Sequence, residues 1–235
     1  MGFTLIFRCC ALALGLIQIA SIGQTSAPAP AAAAQKSAQN RVAQTKPADA
    51  NRPVIVAFGD SLTAGYGAEP GYSFPDFLQK DLDRAGFAWR VVNEGVSGDT
   101  TTDGLNRLNE VLAAKPRVVI VEFGGNDGLR GLPIESTRTN LEQIIVALRK
   151  AGIRLLLAGM TLPPNYGRAY IKTFEQLYVD LADQYKLARI PFLMQDIAAN
   201  GNFRALIQRD GIHPTAEGNE IVAGTVMRYL KPLLR

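Results

Sequence analysis

Short apolar runs alternate along the chain with segments in which apolar residues recur every three or four positions. The runs predict β-strands, and the three-to-four spacing predicts amphipathic helices. The predicted strands cover residues 53–58, 89–95, 117–124, 154–160 and 190–193. The predicted helices cover residues 73–86, 101–115, 137–152, roughly 167–187 and 215–230.

This alternation of strand and helix predicts an α/β fold in which a parallel sheet lies between two layers of helices. The run RVVIVEFG (117–124) is apolar nearly throughout, which is typical of a central strand covered on both faces. In such sheets ligands bind beyond the carboxyl ends of the strands. A functional site is therefore expected in the loops that follow the strands.

The first 23 residues have the layout of a secretory signal peptide. One positive charge, Arg8, precedes a mostly apolar run and then small residues, and the run is shorter than the ~20 residues of a membrane span. Ser21 and Gly23 suit the −3 and −1 positions of a cleavage site, which predicts a mature chain that begins at Gln24. We therefore expect a periplasmic or secreted protein, with an uncleaved amphipathic anchor as the alternative.

Residues 24–52 are rich in Ala, Pro, Gln and Ser and contain no aromatic residue. Such a segment buries too little apolar surface to offset its chain entropy, so we predict a flexible linker before a folded domain at 53–235. The net charge of the whole chain is +4, but the linker and Arg8 carry this excess and leave the domain close to neutral. The domain therefore lacks the basic surface expected of a nucleic-acid-binding protein.

Polar, glycine-containing segments follow the predicted strands or precede the last helix. Because the carboxyl ends of parallel strands meet at one edge of a sheet, we expect these segments to converge there. They are GDSLT (59–63), NEGVSGDTT (93–101), GGNDGLRG (124–131), TLPPNYGRAY (161–170) and DGIHPT (210–215).

His213 is the only histidine in the chain. Asp210 precedes it by three residues in a turn, from which its carboxylate can orient the imidazole and stabilise the imidazolium. Ser61, in the loop after the first strand, is the candidate nucleophile that this base would activate. A structural histidine and a helix-capping Asp210 are the alternatives.

Attack by a serine creates an oxyanion, which needs preorganised hydrogen-bond donors. Candidates are the N–H groups of Ser61 and Gly98 and the carboxamide of Asn126, although Gly98 and Asn126 could also serve only their turns. A metal site is poorly supported, since there is one histidine and both cysteines, Cys9 and Cys10, lie in the predicted signal peptide. We expect no cofactor.

These segments, in this order, resemble the SGNH (GDSL) hydrolase superfamily. Ser61 in GDSLT, Gly98 in GVSGDTT, Asn126 in GGND and His213 in DGIHP match its four marker residues. VEFGGNDGLRG and LPPNYGRAY are similar to the secreted bacterial arylesterase, lysophospholipase and acyl-thioesterase branch. The resemblance covers about residues 54–232.

The resemblance implies a flavodoxin-like three-layer α/β/α sandwich with a five-stranded parallel sheet. It also implies a catalytic triad of Ser61, His213 and Asp210, and an oxyanion hole formed by Ser61, Gly98 and Asn126. The neighbouring carboxylates are expected to support loops rather than react; they are Asp60 and Asp127.

The implied activity is hydrolysis of small-molecule acyl esters: arylesters, lysophospholipids, acyl thioesters or a combination of these. Transient contact with membrane lipids is compatible with this activity, and the sequence gives no oligomeric state. Seven loop residues could line an acyl groove or equally could be core residues that hold the loops. They are Tyr72, Phe74, Leu129, Leu162, Pro163, Tyr166 and Ile212.

Two other functions stay open at this point. A carbohydrate or peptidoglycan O-acetylesterase would use the same triad, in an open polar cleft and with acetyl esters preferred. A flavodoxin-like phosphate- or nucleotide-binding protein would instead cradle a phosphate at the helix that begins near Ser61. The loop lacks the density of Ser and Thr typical of such sites, and the Asp210–His213 pair would then have no use.

Overall fold

The computed structural model describes residues 51–235, all of which belong to one compact unit. The predicted signal peptide (1–23) and all but the last two residues of the predicted linker (24–52) lie outside the described residues. Arg52, the last residue of that predicted linker, forms an ion pair with Asp83 at 2.7 Å. No helix within residues 51–235 combines the length and apolar character needed to cross a membrane.

Five parallel strands form a single sheet, in the order β2-β1-β3-β4-β5. Every residue of β1 and β3 is buried, as expected for central strands covered on both faces. The predicted parallel sheet is confirmed. The strands are β1 (Val54–Gly59), β2 (Arg90–Gly95), β3 (Val118–Glu122), β4 (Arg154–Ala158) and β5 (Ala188–Ile190).

Ten α-helices and two short 3₁₀-helices connect and flank the strands within the described part of the chain. The α-helices are α1 (Ser61–Ala64), α2 (Phe74–Arg84), α3 (Thr101–Asn106), α4 (Leu108–Ala113), α5 (Gly125–Leu129), α6 (Ile134–Lys150), α7 (Arg168–Tyr185), α8 (Gln195–Ala198), α9 (Phe203–Leu206) and α10 (Ala216–Leu230). The 3₁₀-helices are Pro164–Tyr166 and Lys231–Leu234.

The helices form two groups, because the direction of chain progress across the sheet reverses after β2. Helix α2 packs against α10, whereas α6 packs against both α3 and α7. Right-handed crossovers place the helices on opposite faces when the direction reverses. The result is the three-layer α/β/α arrangement expected from the sequence.

Two predicted elements differ from the structure. The helix predicted at 101–115 is broken at Arg107, whose backbone leaves the helical region. The Arg107 side chain turns inward and donates hydrogen bonds to β1, to β2 and to Asp99 in the loop after β2. The strand predicted at 190–193 lies earlier, at Ala188–Ile190. Pro191 ends it because proline has no N–H to donate to the sheet.

The reversal also locates the site. The segments that leave β1 and β3 lie side by side at the carboxyl edge of the sheet. From there the chain continues in opposite directions, because β2 follows β1 on one side of this central pair and β4 follows β3 on the other. Such a switch point leaves a crevice in which ligands bind. Ser61 follows β1 and Asn126 follows β3, so both lie at this crevice.

Candidate active site

Ser61 is the first residue of α1, directly after β1. The Asp60 side chain caps this helix by accepting a hydrogen bond from the Leu62 N–H at 3.0 Å. The Ser61 hydroxyl oxygen lies 2.8 Å from His213 Nε2. The cap thus fixes the turn that presents the hydroxyl to the imidazole.

His213 is held on its other side by Asp210. Its Nδ1 lies 2.6 Å from Asp210 Oδ2. Because a carboxylate can only accept a hydrogen bond, Nδ1 carries the proton and Nε2 is left to accept the proton of Ser61. The order Asp210–His213–Ser61 is that of a charge-stabilised general base.

The turn around Asp210 preorganises this contact. Asp210 Oδ1 accepts hydrogen bonds from the backbone N–H groups of Ile212 and His213, at 2.9 and 3.0 Å. Burial alone would raise the pKa of Asp210, but these bonds, with that of the imidazole, bring it below its ordinary value. These contacts therefore favour the ionised form of Asp210.

Gln208 joins the histidine loop to the serine loop. Its Nε2 donates to the carbonyl oxygens of Tyr66 and Pro214, at 2.7 and 2.8 Å, and its N–H donates to the His213 carbonyl at 2.8 Å. The Tyr66 ring lies 4.6 Å from the imidazole, centroid to centroid. The distance between Ser61 and His213 is therefore fixed by a direct bridge between their loops.

The backbone N–H groups of Ser61 and Gly98 are candidates for binding an oxyanion. Within residues 51–235, neither the Ser61 N–H nor the Gly98 N–H donates a hydrogen bond to the protein. Gly98 adopts a φ of +89°, a conformation that favours glycine, and its carbonyl accepts a hydrogen bond from Arg130 at 2.8 Å. The carbonyl of Gly98 is thus engaged, while its N–H has no acceptor among residues 51–235.

The carboxamide of Asn126 is the third predicted donor, and both of its protons are engaged. Asn126 Nδ2 donates to Asp60 Oδ2 at 3.1 Å and to the Asp99 carbonyl at 2.9 Å. A developing oxyanion would therefore share or replace one of these acceptors.

The two carboxylates predicted to support loops make contacts of that kind. Asp127 is buried and accepts hydrogen bonds from the Thr101 N–H and hydroxyl, at 2.9 and 2.5 Å. It thereby joins α5 to α3. Burial raises the pKa of Asp60 to about 6, against the lowering effect of its hydrogen bonds and of His213.

A largely apolar cavity of about 490 Å³ opens at Ser61 and His213. Four of the seven predicted substrate residues line it: Leu129, Leu162, Pro163 and Ile212. The segment from β5 to α9 supplies much of the remaining wall. Wall residues that the sequence did not indicate are Tyr66, Met160, Phe192, Met194, Ile197, Phe203 and Ile207.

The structure places the other three predicted substrate residues away from the cavity. Phe74 begins α2 and is completely buried in the core. Tyr72 is exposed and packs edge-on against Phe77. Tyr166 donates its hydroxyl hydrogen to the Leu129 carbonyl at 2.7 Å, so it holds a wall residue in place from outside the cavity.

A serine, a histidine and a carboxylate in line at the switch point of a parallel α/β fold form the kind of arrangement that serine hydrolases use. The sequence matches the GDSL-like Lipase/Acylhydrolase family over residues 57–221. The chain belongs to this family, and it is an ester-hydrolysing enzyme.

Among the proteins similar to this chain are two bacterial relatives and one solved structure. Esterase TesA of Pseudomonas aeruginosa is 40% identical over 181 residues, which is 77% of this chain and 89% of that protein. Thioesterase 1/protease 1/lysophospholipase L1 of Escherichia coli K12 is 36% identical over 181 residues, 77% of this chain and 84% of that protein. A crystal structure of TesA is 39% identical, with a TM-score of 0.72 over 77% of this chain and 99% of that one.

Proposed function

We propose that this esterase cleaves its substrates through an acyl-enzyme formed on Ser61. The hydrogen-bonded line from Asp210 through His213 to the Ser61 hydroxyl, at the mouth of an apolar cavity, carries this proposal. Ser61 Oγ attacks the acyl carbon while His213 Nε2 accepts its proton. His213 then passes this proton to the oxygen or sulfur of the leaving group, which departs. In the second step a water molecule, activated by His213, attacks the acyl-enzyme and releases the carboxylic acid.

The oxyanion formed in each step is bound by the N–H groups of Ser61 and Gly98 and by the amide of Asn126. The two unbonded N–H groups support this assignment. Asn126 joins them by sharing the proton that it otherwise donates to Asp60 or to the Asp99 carbonyl. Donors fixed before the reaction stabilise the transition state without reorganisation.

The favoured substrates are esters with a medium-length or longer acyl chain, among them arylesters, acyl thioesters and lysophospholipids. The apolar cavity supports this choice over an O-acetylesterase, for which a polar cleft is expected. Membership of an ester-hydrolysing family leaves no support for the phosphate-binding alternative.

The acyl chain-length profile tests this proposal. On p-nitrophenyl esters from acetate to palmitate, we expect kcat/KM to rise from acetyl to octanoyl by up to about fourfold per methylene, the equivalent of about 0.8 kcal/mol per buried CH₂. Lysophospholipid and acyl-CoA hydrolysis are measured alongside. A profile that peaks at acetate would contradict the assignment.

We further propose that the protein acts after export, in the periplasm or outside the cell. The Arg8-containing start and the apolar run up to residue 23 support this. Mass spectrometry of the exported protein should find an N-terminus close to Gln24, whereas an uncleaved chain would favour the amphipathic anchor.

A further inference from the structure

Glu122 is a buried carboxyl group that the proposed reaction does not use. It ends β3, beside Gly59 at the end of β1, and none of its surface is exposed. Its Oε2 accepts hydrogen bonds from the Thr63 hydroxyl at 2.6 Å and from the Asp60 N–H at 3.2 Å. These two residues flank Ser61, so one oxygen atom holds the nucleophile turn on both sides.

The fit around this oxygen is close. A Cβ at position 59 would lie 2.1 Å from Thr63 Oγ1 and 2.4 Å from Glu122 Oε2. Glycine at this position therefore leaves the room that the carboxyl group and the hydroxyl need.

The same contact reaches the oxyanion side of the site. The Asp60 backbone N–H binds Glu122, while the Asp60 side chain accepts a hydrogen bond from Asn126 Nδ2 at 3.1 Å. A shift of the turn would move the Ser61 hydroxyl away from His213 and the Asn126 amide away from its present position together.

We propose that Glu122 is a positioning residue for the reaction: a neutral carboxylic acid beneath the nucleophile turn, whose Oε2 fixes residues 60 and 63 and so sets Ser61 against His213. This inference rests on the proposed role of Ser61. Glu122 has no access to the cavity and acts only through the residues that it holds.

The surroundings of Glu122 favour the neutral form. Burial, followed by the charge of Asp60, raises the pKa of Glu122 well above its ordinary value. The other titratable side chains around this turn have partners of their own: Arg107 donates to the Gly59 carbonyl, the Tyr178 hydroxyl donates to the Phe123 carbonyl, and His213 binds Asp210.

No ion pair to Glu122 exists among residues 51–235. Its Oε1 has no hydrogen-bond partner in that part of the chain. An ionised group would leave a buried charge with no donor at this oxygen, whereas protonation of Oε1 leaves only a neutral O–H without an acceptor, which costs less than an unpaired charge.

The test compares Glu122→Gln with Glu122→Leu. Gln keeps an acceptor oxygen and the neutral charge, so we expect its kcat to stay within about threefold of the wild type. Leu has a similar size but no acceptor, and small displacements of reacting groups cost up to about a hundredfold in rate. We therefore expect its kcat to fall at least tenfold, with KM within about threefold.

A second pair of variants, at Thr63, tests the same contact from its hydroxyl donor and keeps the test decisive if the Leu variant does not fold. Thr63→Ser keeps the hydroxyl donor and should keep the wild-type kcat, whereas Thr63→Val removes it at nearly constant shape and should lower kcat with KM unchanged. Circular dichroism and thermal unfolding give the folded fraction, by which all rates are normalised.

Two results would overturn the inference. The first is a wild-type kcat in folded Glu122→Leu and Thr63→Val. The second is a kcat of Glu122→Gln as low as that of Glu122→Leu, because the active form of Glu122 would then be the ionised one. Activity that survives Ser61→Ala would instead count against the proposed function, so the two failures are distinguishable.

Discussion

At the scale of single residues, Asp60 makes three hydrogen bonds that hold the turn around Ser61. It caps α1, accepts a hydrogen bond from Asn126, and donates its own N–H to Glu122. Its carboxyl group is almost completely buried, and burial raises its pKa from 3.8 to about 6. The site therefore gains a fixed acceptor for Asn126, and the native state bears a cost once that carboxyl group is ionised.

The sign of this cost is testable. A carboxyl group with a raised native pKa binds more protons in the folded than in the unfolded state, so stability falls as pH rises from about 4 to about 6. A rise in the pKa of Asp60 from 3.8 to about 6 corresponds to roughly 3 kcal/mol. Asn cannot ionise, so the free energy of unfolding of Asp60→Asn, minus that of the wild type, should increase over this window.

Urea unfolding at closely spaced pH values between 4 and 8 measures this difference. Both proteins share every other titrating group, so the wild type serves as the control. A difference that stays flat, or decreases with pH, would contradict the raised pKa of Asp60.

At the scale of elements, Arg107 explains why one predicted helix became two. Its guanidinium binds Asp99 at 2.6 Å, the Glu94 carbonyl at 2.9 Å and the Gly59 carbonyl at 2.8 Å. The apolar spacing of residues 101–115 predicts a helix correctly but carries no information about a side chain that turns inward. The break at Arg107 allows the guanidinium to join β1, β2 and the loop of Gly98.

Substitution of Arg107 should therefore affect both stability and activity. In Arg107→Met we expect a loss of roughly 2–4 kcal/mol in the free energy of unfolding, because Asp99 would remain half-buried without its cation. The kcat should fall as well, since the Asp99 carbonyl holds Asn126.

Arg107→Lys is the matched control, because it keeps the charge but has no planar fork to reach three acceptors. We expect it to lie between the wild type and the Met variant in both measurements. Wild-type stability and kcat in the folded Met variant would show that this junction has no such role.

The elements also explain which parts of the site were predictable. Ser61, Gly98, Asn126 and His213 follow strands or precede a helix in short polar segments, so the rule for parallel sheets brings them to one edge. The less predictable part of the cavity wall comes from α8, α9 and the turns around them. Helices of four residues have no apolar period to recognise, and the contribution of Phe203 therefore could not be read from spacing.

The predicted substrate residues show the same limit. Phe74 and Leu162 are both apolar residues in loop-adjacent positions, yet the first is core and the second lines the cavity. Which way a loop residue faces depends on tertiary contacts, such as the Ser73 cap that begins α2. Tyr66 follows Ser61 by only five residues, and this closeness in the sequence was the one available signal for its place in the wall.

At the scale of the whole molecule, the segments proposed to be catalytic converge at the carboxyl ends of β1 and β3. In the sequence, residues 24–52 account for most of the net charge. The alternation of strands and helices predicts the parallel sheet and its two helical layers, whereas the order of the strands, and with it the switch point, was implied only by the resemblance to a family with a flavodoxin-like fold. The export of the protein remains a prediction.

The most direct test of the central claim is the covalent labelling of Ser61. A fluorophosphonate probe should add once per molecule, and peptide mass spectrometry should find the adduct on Ser61. Labelling and ester hydrolysis should be lost in Ser61→Ala, with activity below about a hundredth of the wild type, and both should persist in Ser136→Ala, which changes an exposed serine on α6. An adduct on another residue, or a Ser61→Ala variant that is still labelled and active, would contradict the account.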